Sequence, residues 1–250
     1  MPRYDFRTTR LYVDTPLTQG GEVTLDRDQT NYLVNVLRLG RGDAVLLFNG
    51  TDGEWQAELA GSSKRSATLL VGARQRAQTR AGDLHFLFAP LKHARLDYLV
   101  QKAVELGASR LQPVMTRHTQ VTRVNADRMR ANAIEAAEQC GVLRVPEIAE
   151  PMAFDQVTAE IDRLLVFCDE DAEVRDPVAA LVAVRRSPHQ PLAVLVGPEG
   201  GFAEEERVAL LRRPMVVRIA LGPRILRADT AAIAALTLVQ AVLGDWQGPG

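Results

Sequence analysis

Two short segments hold most of the chemistry in this 250-residue chain. Gly197-Pro-Glu-Gly-Gly201 follows the apolar run Leu192–Val196, and Gly222-Pro-Arg-Ile-Leu-Arg-Ala-Asp229 follows Val216–Leu221. A third segment, Asp169-Glu-Asp171, follows Leu164–Cys168. A phosphate cradle needs successive free backbone N–H groups and usually a lysine. Here Pro198 removes a donor and Glu199 adds a repelling charge. Neither GxGxxG nor GxxxxGK[ST] occurs, so a dinucleotide or nucleoside-triphosphate site has no support. Glycine lets backbone approach a flat ring closely, and neighbouring carboxylates tolerate a cationic ligand. A nucleoside bearing a sulfonium, S-adenosylmethionine, fits that description. Read alone, the first loop is equally a tight strand-to-helix turn, with Glu204–Glu206 favouring the helix N-terminus. Gly-Pro repeated at a second strand end, now with Arg224 and Arg227, makes a shared site the stronger reading.

Those loops need a rigid frame, and the apolar pattern supplies one. Leu84–Ala89, Leu111–Met115, Leu164–Cys168, Leu192–Val196 and Val216–Leu221 read as strands. They alternate with helical patterns over His93–Leu106, Ala126–Gln139, Pro177–Val184, Glu204–Leu211 and from Asp229 onward. Such alternation means parallel pairing and an α/β layer structure. In an open parallel sheet, ligands sit beyond the carboxyl ends of the strands, where all three segments fall. Residues 1–75 differ: Leu11–Val13, Val23–Leu25, Ala44–Phe48, Trp55–Leu59 and Ala67–Val71 are short β-prone runs, with Asn49-Gly50 marking a hairpin. One helical interval over Tyr32–Leu37 follows capping candidates Asp26 and Asp28. This pattern predicts a small β-barrel-like domain over residues 1–75, joined by the polar segment 75–83 to a second domain over 76–250.

Composition narrows the class. With 46% hydrophobic residues the chain can bury a large core. No apolar run is long enough to span a bilayer and no secretory leader pattern opens the sequence, which predicts a cytoplasmic protein with no membrane partner. Cys140 and Cys168 lack metal-ligand spacing and are expected to be buried free thiols, so no metal is expected. The net charge of −1 conceals an asymmetry: residues 1–130 carry 19 Lys+Arg against 13 Asp+Glu, and the remainder 11 against 18. The basic part suits a polyanion, although a solvated mixed surface accounts for it equally.

The two Gly-Pro loops resemble, almost verbatim, those of the RsmE type of 16S rRNA uridine-N3 methyltransferases within the SPOUT superfamily. Other segments match in order: Arg10-Leu-Tyr-Val13, Val36-Leu-Arg-Leu-Gly-Arg-Gly-Asp43, Phe48-Asn-Gly50, Gln101-Lys-Ala-Val-Glu-Leu-Gly107 and Glu138-Gln-Cys-Gly141. Departures are Asp229 for the family's glutamate, Ala228 for its threonine, Val142 where arginine is frequent, and Asn31 where histidine is. The resemblance implies a PUA-like β-barrel, an α/β domain with a trefoil knot, and a homodimer. It further implies transfer of a methyl group from S-adenosylmethionine to N3 of a uridine in 16S rRNA, within the 30S particle.

On that reading, backbone groups of Leu195, Gly197, Pro198, Glu199, Gly200 and Gly201, with Ile219, Leu221, Gly222, Pro223 and Leu226, hold the cofactor. Bulk is least tolerated at Gly197, Gly200 and Leu221, and Leu226 reads equally as core. The imide nitrogen of uridine is a poor nucleophile until its proton leaves. Arg224 and Arg227 are candidates to stabilise the uridinate, and Asp229 or Glu199 to accept the proton or orient an arginine. Arg10 and Arg38 are candidate phosphate contacts, each equally explained by a surface salt bridge. Two other functions remain open: a related knotted methyltransferase acting on a tRNA guanine or a ribose hydroxyl, and a non-catalytic rRNA-binding assembly factor.

Overall fold

The computed structural model describes residues 7–63, 66–79, 82–92, 94–173, 176–184 and 190–247. Residues 1–6 and the expected helix start at His93 lie outside the described residues. Two units divide the chain: Met1–Arg80 with Ala137–Val145, and Ala81–Ala136 with Pro146–Gly250. The segment Ala137–Val145 thus groups with the first unit although it is remote in sequence, a relation no linear boundary expresses.

In the first unit a five-stranded mixed sheet is formed by β1 (Arg10–Tyr12), β2 (Glu22–Thr24), β3 (Ala44–Phe48), β4 (Glu54–Ser62) and β5 (Ala67–Arg76), in the order β1-β3-β4-β5-β2. Among the described residues of this sheet, only β1 and β3 pair in parallel. Alternation puts Ala67, Leu69 and Val71 inward with Val45, Leu47, Ala57 and Leu59, while Leu70 faces out. Register shifts between β4 and β5 bend this sheet into a curled half-barrel. The helical interval begins as predicted: Asp26 caps α1 (Arg27–Thr30), accepting from Gln29 N at 2.8 Å while the Gln29 side chain accepts from Asp26 N. It continues as a π-helical turn over Asn31–Val36, with Leu37 N donating to Tyr32 O. Arg38 follows at φ 60°, a left-handed conformation uncommon for a residue with a side chain.

The second unit is a parallel sheet of β6 (Leu84–Phe88), β7 (Arg110–Met115), β8 (Glu147–Ile148), β10 (Leu164–Cys168), β11 (Leu192–Val196) and β12 (Val216–Ile219). The order is β12-β10-β11-β6-β7-β8, with β9 (Met152–Ala153) also on β7. All five residues of β10 and of β11 are buried, as central strands covered on both faces require. The helices are α2 (Ala94–Glu105), α3 (Ala126–Cys140), α4 (Phe154–Glu160), α5 (Pro177–Val182), α6 (Glu204–Leu211) and α7 (Ala228–Val242). The short β8, β9 and α4 were not expected from the pattern. One cysteine corrects the sequence reading: Cys140 ends α3 exposed, whereas Cys168 is buried and its thiol is pushed up to about 12 by burial and by Asp169. Among the described residues no helix is long and apolar enough to cross a membrane.

Candidate functional site

Strands β11 and β12 flank β10, so both Gly-Pro loops leave the same sheet end, one on each side of the Asp169 segment. The first loop closes on itself through Gly201 N to Pro198 O at 3.0 Å, with Gly201 at φ 67°. Its glycines pack against the protein. A Cβ on Gly197 would meet the Phe202 ring at 2.5 Å, and one on Gly200 would meet His118 Cβ at 3.2 Å. At Gly197 the protein itself leaves no room for a side chain, whereas at Gly200 one would require His118 to give by a few tenths of an ångström. His118, on the loop after β7, places Nδ1 3.1 Å from both Gly200 O and Gly201 O. Carbonyls only accept, so Nδ1 is the protonated nitrogen. At the loop's end Glu206 accepts from Ala203 N and Arg117 N, each at 2.9 Å, which joins the start of α6 to the β7 loop.

The second loop is the opposite case. Among the described residues no hydrogen bond within the protein engages the backbone of Leu221–Leu226. Gly222, at φ 96°, has open space where a side chain would stand. Arg224 and Arg227 are exposed, and neither has an ion pair among the described residues. Pro223 is also exposed, while Leu221 and Leu226 are partly covered. Ile219 and Leu195 are buried in the strands, and Pro198 is buried under the first loop. Their side chains belong to the core, so any ligand meets this chain there through backbone.

Arg95, near the start of α2, joins the two loops. Its Nε donates to Asp229 Oδ2 at 2.9 Å and its Nη1 pairs with Glu199. The Arg95 hydrogen bond holds the Asp229 carboxyl below the usual carboxylate range, outweighing the opposing effect of partial burial. Reciprocally the bond from Asp229 raises the Arg95 guanidinium. Both carboxylates named as proton acceptors are thus engaged by one cation, and the geometry favours their second assignment, orienting an arginine. Among the described residues, Nη2 of Arg95 is buried with no hydrogen-bond partner.

Two expectations are corrected. Asp169 is 1% exposed and held by Arg207 Nε at 3.2 Å and Arg218 Nε at 2.8 Å, while Glu170 and Asp171 pair with Arg207 at 3.0 and 2.8 Å. Asp169 is enclosed by two arginines and is not offered to a cationic ligand, whereas Glu170 and Asp171 pair with Arg207 and stay exposed. Arg10, a candidate phosphate contact, is 5% exposed. Its Nε donates to Glu54 at 2.7 Å, its Nη atoms to the carbonyls of Ala137, Glu138 and Val142, and its guanidinium lies 4.3 Å from the Phe48 ring centroid. A guanidinium enclosed in this way cannot reach a phosphate. Arg38 is exposed and keeps its candidacy. Lys102 and Glu105 pair with each other at 2.6 Å.

Sequence reasoning missed Arg95 and His118. The signal for Arg95 was its place one residue before Leu96 at the head of a helix that enters the sheet end carrying both loops. His118 lies three residues beyond the end of β7.

Residues 78–240 match the family described as RNA methyltransferase domain, and residues 25–72 the RNA methyltransferase PUA domain. Ribosomal RNA small subunit methyltransferase E of Rickettsia conorii is 29% identical over 232 residues, covering 92% of this chain and 94% of that protein. The protein of the same name from Bacillus subtilis is 27% identical, covering 96% of each. Among solved structures, a Legionella pneumophila methyltransferase in complex with bound cofactor SAM superimposes with TM-score 0.81 at 29% identity, covering 94% of this chain and 98% of that one. These likenesses bear out the resemblance carried by the motifs.

Proposed function

Since the chain belongs to the RNA methyltransferase family, we propose that it methylates small-subunit ribosomal RNA, at N3 of a uridine in 16S rRNA, with S-adenosylmethionine as methyl donor. The observation that carries this reading is the pair of Gly-Pro loops flanking β10 and tied together by Arg95, one of them with its backbone unengaged. Residues Leu221–Leu226 offer unspent N–H and C=O groups to the edge of a heterocycle, and the open space at Gly222 admits it. These features fit an adenosyl group. When bound, S-adenosylmethionine supplies an electrophilic methyl group on sulfur.

The protein's own part is to bind, orient and stabilise charge. Uridine N3 lies on the pairing edge, so the base must first leave its stack. Arg224 and Arg227, exposed on the second loop, suit stabilisation of the uridinate as its proton departs. Asp229, held ionised by Arg95, is a weaker proton acceptor than a free carboxylate. Positioning and charge stabilisation therefore dominate this mechanism. Arg38 presents its side chain from a left-handed turn on the first unit and suits a backbone phosphate. A knotted α7 and a homodimer complete the proposal; the exposed Val178 and Val182 on α5 suit a partner copy. The substrate places this activity in the cytoplasm, on the 30S particle.

Mass spectrometry of nucleosides from rRNA of cells with and without the protein tests the reading. A 3-methyluridine lost on deletion supports it. A lost 2′-O-methyl nucleoside or methylguanosine moves the activity to another knotted methyltransferase class. No change in any methylated nucleoside, with no thermal shift on S-adenosylmethionine, leaves the non-catalytic assembly factor. Saturation at a hundredfold excess over Kd should add roughly 2.7 kcal/mol of stability.

A further inference from the structure

Arg95 belongs to neither loop, yet among the described residues it is the side chain that bonds both, reaching Glu199 and Asp229 across 104 and 134 positions of sequence. Stability alone does not account for the arrangement. Arg95 and Glu199 have side chains 35% and 43% exposed, and exposed pairs of this kind contribute little to stability. Nη2 is buried and, among the described residues, has no hydrogen-bond partner, which is unfavourable for a charged donor. The chain thus keeps a guanidinium with one donor unspent beside its bonds to Glu199 and Asp229. What that guanidinium does secure is geometry. The planar fork fixes two carboxylates at once, so the first loop and the start of α7 are held at one separation.

We infer that Arg95 is a positioning residue for cofactor binding: it sets the spacing between the two Gly-Pro loops, with Glu199 and Asp229 as its anchors. This rests on the function proposed above and adds a residue to it. A second consequence concerns Asp229, whose substitution should act through the cofactor and leave the ionisation limb of the pH–rate profile in place.

The test is calorimetric titration of S-adenosylmethionine into the wild-type protein and the variants Arg95→Met, Arg95→Lys, Glu199→Gln and Asp229→Asn, with melting temperature and steady-state kinetics on 30S particles. Arg95→Met should raise the Kd for the cofactor about tenfold or more, leave KM for the particle unchanged, and move the melting temperature little. Arg95→Lys, a point charge without the fork, should recover only part of the loss. Arg95→Met combined with Asp229→Asn should be no worse than Arg95→Met alone, because both changes break one link. Unchanged affinity in a folded Arg95→Met protein overturns the inference. So does tighter binding, the outcome expected if the two freed carboxylates simply attract the sulfonium cation. Should the methionine variant not fold, Glu199→Gln removes an exposed anchor and is read in the same way. Wild-type protein that fails to bind S-adenosylmethionine overturns the functional reading itself. A wild type that binds, beside variants that bind equally, overturns only the role of Arg95.

Discussion

Each unit contains a three-charge node, and the two are inverted images in sign and in burial. In the first, the Glu54 carboxylate accepts from Arg10 and Arg76, each at 2.7 Å, and the Arg10 and Glu54 side chains are each 3% exposed. In the second, Arg95 lies between Glu199 and Asp229, partly open to solvent, with one donor atom unspent. Among the described residues, the bonds given for Glu54 and its arginines stay within one unit: two strands and the carbonyls that complete the arginines' shells. Arg95 joins segments that carry the candidate site. A saturated, dry node holds a fold together, whereas an open and incompletely bonded one is disposed to meet something else.

The sharpest way to break this comparison is to remove the centre of the first node. Glu54→Ala leaves two guanidinium groups without their carboxylate, one of them deeply buried, and should destabilise the first unit by about 3–5 kcal/mol in denaturant unfolding. A loss below about 1 kcal/mol would mean that the node is not structural. Its pH dependence has a definite sign. Burial raises the Glu54 carboxyl, but bonds from Arg76 and Arg10 outweigh it and hold the group below its ordinary value. Its contribution is therefore present at neutral pH and disappears as pH falls through that lowered value.

His85 provides an internal control in the second unit. Burial, with Arg163 nearby, lowers its imidazole from 6.5 to about 4. The folded state then keeps the ring neutral where the unfolded chain protonates it, so stability falls as pH drops from about 6.5 toward about 4. The full effect is at most about 3 kcal/mol, and less for a ring still partly open to solvent. His85→Gln should flatten that interval of a stability-versus-pH curve; an unaltered slope would assign it to other groups.

Smaller again is the expected stability effect at the second node, where Arg95→Met should cost at most about 1 kcal/mol in unfolding. A loss as large as that of Glu54→Ala would erase the distinction between the nodes. The smallest effect contrasts two arginines of the first unit. Arg38→Ala should leave unfolding unchanged and lower the slope of log affinity for 30S particles against log salt by about 0.7–0.9. Arg10→Ala should instead act chiefly on stability. If both change the salt slope equally, the enclosure of Arg10 is not maintained in solution.

The frame of the molecule was readable because its signals are local. Ala44–Phe48, Leu164–Cys168 and Leu192–Val196 are apolar runs of strand length ended by glycine, asparagine or aspartate, and each emerges with the expected bounds. The strands β8 and β9 span two residues each, too short to carry any period. The first Gly-Pro loop followed from the end of Leu192–Val196, and the second from Val216–Ile219, a strand that ends two residues before the expected Leu221. Their connection did not, because Arg95 meets its anchors more than a hundred residues away and a helical period records only which face is apolar. Arg10 illustrates the same limit from the other side. Its sequence neighbours say nothing of Glu54 or of the end of α3, so exposure was the natural expectation for an arginine.

The return of Ala137–Val145 to the first unit also sets an order in time. Three of the carbonyls that receive Arg10 belong to residues 137, 138 and 142, so the β-sheet domain lacks its final hydrogen-bond acceptors until the ribosome has made them. At about 5–20 residues per second, that leaves an interval of several seconds after Arg80 during which Arg10 and Arg76 share Glu54 without those carbonyls. The domain that begins first must therefore wait for part of the second to be synthesised before it is finished.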